Sequence, residues 1–133
     1  MANALYPKFK EALLAGDIDI PEDSVRAVLI DVSEYTFSAT HDALNDVSAG
    51  ARISGPQPLA SKTILNGTLD AANLTFPAVP GGAVVGAVII YVDTGTESTS
   101  PLIAYIDTGS NLPITPNGGD INLNWSESGI FSL

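Results

Sequence analysis

The rhythm of hydrophobic and polar positions changes once along this chain. Near the N-terminus Leu5, Phe9, Ala12 and Leu13 recur at i, i+4, i+7 and i+8, with Lys8 and Glu11 off that face. Such spacing places four apolar side chains on one side of a helix. It predicts a helix over residues 3–15, stopped by Gly16. The face built on Leu5, Phe9 and Leu13 has two uses: packing on its own domain, or docking as a donated element on a neighbouring subunit.

From about residue 24 the pattern is that of strands. Residues 25–32 are rich in β-branched side chains, and 35–37 extend or follow them. Residues 41–47 read as a short helix with Thr40 as its N-cap, and 51–53 as a strand stopped by Gly55-Pro56. Residues 62–65 and 67–69 flank Asn66-Gly67, the signature of a type I′ hairpin. Residues 74–76 precede a breaker cluster at 77–82, and residues 84–92, almost continuously apolar, predict a central strand buried on both faces. A polar loop, 93–101, joins it to 102–107 in a hairpin with a long tip. A turn at Asn117-Gly118-Gly119 leads to 120–125, where Ile121, Leu123 and Trp125 alternate with polar residues. The last five residues, without a polar tail, are expected to be tied into a sheet.

About eight short strands separated by turns predict a mainly β fold: an antiparallel sandwich or barrel, the jelly roll among its forms, led by one α-helix. The chain of 133 residues reads as one domain, with its helix at 3–15 and its β region at 24–133.

Composition narrows the function. Hydrophobic residues make up 45% and charged residues 15%, which is too apolar for disorder. The surface is therefore largely neutral and can pack against neighbours without desolvating many charges. Five Lys and Arg stand against fifteen Asp and Glu, a net charge of −10. Contact with phosphates needs a basic patch, so neither nucleic acid nor an anionic membrane is an expected partner. Without cysteine, neither disulfides nor thiolate chemistry is open to the chain. Pro7, Lys8, Lys10 and Glu11 stand where an export signal has its apolar segment, and the apolar run 83–92 is about half a membrane span. The expectation is a soluble protein made in the cytosol, with the sequons at Asn66, Asn73 and Asn124 serving as strand and turn residues.

Candidate chemistry is sparse. Asp-Thr-Gly occurs at 93–95 and 107–109, each after an apolar strand end, as in aspartic proteases. Those enzymes need two carboxylates face to face, sharing one proton. Here the two Asp stand 14 positions apart on either side of one predicted hairpin, and only 26 residues follow Asp107. Asp and Gly closing turns after strands is the simpler reading. His41, beside Asp42 and Asp46, lacks the second His that a metal site normally has. Asp17, Asp19, Glu22 and Asp23 form an acidic cluster without the calcium-loop pattern, and phosphate-loop and nucleophile-elbow motifs are missing. No catalytic, cofactor-binding or metal-ligating residue is expected, and the protein is read as not an enzyme.

Several segments resemble a family of small virion structural proteins of tailed bacteriophages and prophages. They are ALYPKFKEALL at 4–14, the strand 25–31, YTFSATH at 35–41, AGAR at 49–52, DAANLTF at 70–76, LIAYID at 102–107 and LPITPNGGDI at 112–121, with Trp125 and IFSL at 130–133. The resemblance implies a virion component, a capsid decoration (cement) protein or a neck or tail accessory, and supplies no catalytic residues. The expected partners are the major capsid protein or other virion proteins and further copies of the chain, as a symmetric oligomer such as a trimer. A tail, neck or head-fibre module for assembly or for receptor or carbohydrate binding is the alternative. The aromatic platform for a carbohydrate is thin: Tyr35, Tyr91, Tyr105 and Trp125, some of them in strands.

Overall fold

The computed structural model describes residues 4–107, 112–125 and 129–132. Its strands are β1 (Ala4–Leu5), β2 (Val25–Ile30), β3 (Arg52–Pro58), β4 (Thr63–Leu65), β5 (Thr68–Asp70), β6 (Leu74–Phe76), β7 (Ala87–Val92), β8 (Leu102–Ile106), β9 (Ile121–Leu123) and β10 (Phe131–Ser132). One helix, α1 (Pro7–Leu14), follows β1. The main sheet has the order β1-β8-β7-β2-β3, and two smaller sheets are ordered β10-β5-β4 and β6-β9. All pairs are antiparallel. The result is the expected β-rich, sandwich-like fold led by a helix. The sheets stay open, and no closed barrel forms among the described residues.

The core runs through all three sheets. Every residue of β7 and β8 is buried, which is why both read as nearly unbroken apolar runs. β6 and β9 instead alternate buried, exposed, buried, with Leu74 opposite Leu123 and Phe76 opposite Ile121. One contiguous cluster joins Val28, Leu29 and Ile90 of the main sheet to Leu69, Phe76 and Leu123 of the smaller ones. Each such side chain contributes roughly 1.5–3 kcal/mol by leaving water.

The hairpins fall where the turn chemistry predicts. Asn66 and Gly67 both have positive φ (53° and 77°), as a type I′ turn requires, and β4 pairs with β5 across them. β7 and β8 form the long-tipped hairpin, and β10 ties the C-terminal segment to β5.

Four expectations need correction. The helix begins at Pro7, not at residue 3. Ala4 and Leu5 are strand β1, paired with Tyr105 and Ala104. The switch occurs at Tyr6, whose N–H is donated to Ile103 and whose carbonyl accepts the first helical bonds. Pro7 fits there because a helix's first residues need no N–H donor. Residues 41–47 form only a 3-10 turn at Leu44–Asp46. Backbone groups that a helix would use are bound to the start of β8, Leu44 N–H to Ser100 O and Leu102 N–H to Asp42 O. Thr40 bonds Ser38, and Asp46 itself accepts from the N–H groups of Asp42 and Ala43. β3 continues through Gly55-Pro56 to Pro58, because these two residues fall in a register break of an edge strand, between the pairs Leu29–Ser54 and Ala27–Gln57, where a missing N–H costs no ladder bond. Finally, 84–86 are not part of β7. Val85 forms a bridge with Ile114, and Val84 is exposed.

Candidate functional site

The residues proposed for helix docking are spent largely within the chain. Phe9 is fully buried and packs edge-on against Phe131 at 5.9 Å between ring centres. Leu5 lies in β1 and packs against the core, as does Leu13 near the end of α1. Gly16 ends the helix with φ 81°, and Asp17 N–H reaches back to Ala12 O, the expected glycine stop.

The two Asp-Thr-Gly aspartates sit at opposite ends of the β7–β8 pair. Asp93 follows Val92 at the tip, whereas Asp107 follows Ile106, which is opposite Val88. About six residue rises, ~20 Å along the strands, separate them, so within one chain they form no dyad. Asp93 closes a turn: its carboxylate accepts from Gly95 N–H at 2.8 Å and pairs with Arg26 Nε at 2.9 Å. Thr108 and Gly109 of the second motif lie outside the described residues.

His41 belongs to a hydrogen-bonded chain. Its Nδ1 lies 2.7 Å from the Tyr35 hydroxyl, which lies 2.7 Å from the buried Tyr6 hydroxyl. Phe37 and Tyr105 complete an aromatic cluster around them. Burial, reinforced by the bond to Tyr35, pushes the Tyr6 hydroxyl well above the ordinary tyrosine range. Burial likewise raises Tyr35, Tyr91 and Tyr105. These rings are therefore packing elements, and Trp125 is half-buried with its Nε1 donated to Ala72 O. Burial works to raise the Asp46 carboxyl, but the N–H groups of Asp42 and Ala43 outweigh it and hold that carboxyl below the ordinary range.

Other charged groups also hold the fold. Arg52 makes a two-pronged pair with Glu97 (3.0 and 2.9 Å) and donates to the carbonyls of Leu44 and Val47. Those bonds, with the positive charge beside it, keep the Glu97 carboxyl below the usual range. In the acidic loop Asp23 accepts from Asp19 N–H, and Lys62 Nζ bonds Asp23 O at 2.6 Å. Among the described residues no group of three or more His, Asp or Glu is placed to hold a metal ion, and no helix is long and apolar enough to cross a membrane.

What the fold does assemble is an apolar surface. A groove of about 400 Å³ lies between the end of α1 and the β4–β5 hairpin, lined chiefly by Leu13, Ile18, Ile20, Ile64, Leu69 and Phe131. Ile64 is 53% exposed and Leu65 72%, while Leu14, beyond the helix's apolar face, is 89% exposed. In the sequence these residues have the look of ordinary strand and helix positions. One signal was present: adjacent Ile64 and Leu65 in a three-residue strand must point to opposite faces, so both cannot be buried in one core.

No family model matches the chain, and no curated protein matches it in sequence.

Proposed function

We propose that this chain is a structural protein of a tailed-bacteriophage particle, a decoration (cement) protein on the outer capsid surface that works by protein–protein contact. The observation that carries an assembly role is the apolar groove between α1 and the β4–β5 hairpin, with the half-exposed Ile64 in its lining, on a chain whose net charge is −10. Contiguous exposed apolar surface marks contact sites for other proteins. The pairs Arg26–Asp93 and Arg52–Glu97 serve to hold turns and strands. The place in a phage particle rests on the sequence resemblance. A negative chain suits the outside of a DNA-filled shell, where nucleic acid is not its partner. The major capsid protein is the proposed partner, and the virion the proposed location.

Mass spectrometry of purified particles tests this directly. The chain should be present in amounts comparable to the capsid subunit, and cryo-electron microscopy should place it on the shell exterior. Particles that lack it would end the reading, and density on the tail would move it to the tail or neck.

A further inference from the structure

Strand β4 is the last strand of its sheet, its three residues exposed and its outer edge unpaired among the described residues. The two-residue turn makes Leu65 and Thr68 the hydrogen-bonded pair, so Ile64, opposite Leu69, directs its N–H and C=O away from β5. Its side chain shares a face with Leu69 and Phe131, because residues directly opposite across strands point the same way. The apolar row Phe131–Leu69–Ile64 thus crosses three strands and runs out at the open edge, where Ile64 is about half exposed. Proteins normally blunt such edges with proline or charge. Between Thr63 and Leu69 this chain has neither.

We infer that β4 is a self-association edge, across which two copies pair antiparallel about a two-fold axis at Ile64. In that register Ile64 exchanges both backbone hydrogen bonds with the partner's Ile64, and Thr63 lies opposite the partner's Leu65. The apolar row doubles in length, and two three-stranded sheets become one of six. The occupant is a second copy because the edge is complementary to itself: about that axis the row Phe131–Leu69–Ile64 continues without a break into the same row of the other copy. Two chains of net charge −10 repel, and 63–69 is an uncharged stretch at which they can meet. The nearest charge, Lys62, falls opposite the partner's Asn66 and not opposite a like charge. Each copy uses the same edge, so the pairing closes at two and does not propagate. This gives two-fold in place of three-fold symmetry, and it holds wherever the protein sits in a particle.

Sedimentation equilibrium of the full chain, from micromolar to millimolar, tests the pairing. The mass should rise with concentration from 13.7 kDa toward twice that value. Ile64→Pro removes the outward N–H, which an edge strand tolerates, and should weaken association roughly tenfold or more with an unchanged circular dichroism spectrum. Ile64→Lys, at a half-exposed position, should do the same by placing like charges across the axis. Val84→Lys, at an apolar side chain 47% exposed outside this strip, should leave association intact. A monomer at every concentration, a trimeric mass, or association unmoved by a folded Ile64→Pro or Ile64→Lys variant would overturn the inference.

Discussion

At the scale of single residues, the tyrosines make stability depend on alkaline pH. Burial holds all four, Tyr6, Tyr35, Tyr91 and Tyr105, above the ordinary value of 10.0 in the folded chain. In the unfolded chain they ionise near that value. As pH rises through it the unfolded state loses protons that the folded state keeps, so unfolding becomes easier. The stability contribution is full below the unfolded value and is lost as pH climbs toward the folded ones. Tyr6 dominates, being the most buried and bonded to Tyr35. Tyr6→Phe should cost about 1 kcal/mol near neutral pH through the lost hydroxyl bond. It should also flatten the loss of stability between about pH 9 and about pH 11. Urea denaturation of both proteins across that range measures the two effects together, and a parallel decline in the variant would show that Tyr6 is not the titrating group.

At the scale of elements, the sequence was most informative where one local requirement decides the structure. Asn66-Gly67 needs two positive φ values, and few dipeptides accept them. The run of β7 had to be central because no polar position was left to face water. It was least informative where an element's neighbours decide. Leu5 has the helical spacing yet is claimed by Ala104 of β8, and Gly55-Pro56 reads as a break yet lies on an edge that tolerates it. The surface at Ile64 and Leu65 was hidden for the same reason: exposure there follows from β4 being last in its sheet, which no local pattern encodes. The helix gives a direct test of home packing. Phe9 is fully enclosed by its own chain, so Phe9→Ala should destabilise the fold by about 3–5 kcal/mol, whereas Leu14→Ala, almost fully exposed, should be nearly neutral. Equilibrium unfolding distinguishes this from a helix held only by a neighbouring subunit, for which Phe9→Ala would leave the isolated chain's stability unchanged.

At the scale of the whole molecule, charge and edge act against each other, and ionic strength shifts the balance. Fifteen acidic residues against five basic ones give each copy a field that opposes approach, while the β4 edge supplies attraction that carries no charge. Backbone pairing and apolar contact depend little on salt, but repulsion between exposed charges fades once their separation exceeds the screening length. Raising NaCl from about 20 mM to about 300 mM shortens that length from roughly 20 Å to below 8 Å, so self-association should strengthen. A contact built from surface ion pairs would weaken under the same change. Lowering the pH toward the isoelectric point of about 4.1 removes the same repulsion by protonating carboxylates. The wild-type chain should therefore associate more tightly along both routes, and Ile64→Pro should shift little along either. Light scattering at fixed protein concentration, with salt and pH varied separately, measures this. Association that weakened with salt would place the attraction in ion pairs and away from the uncharged edge.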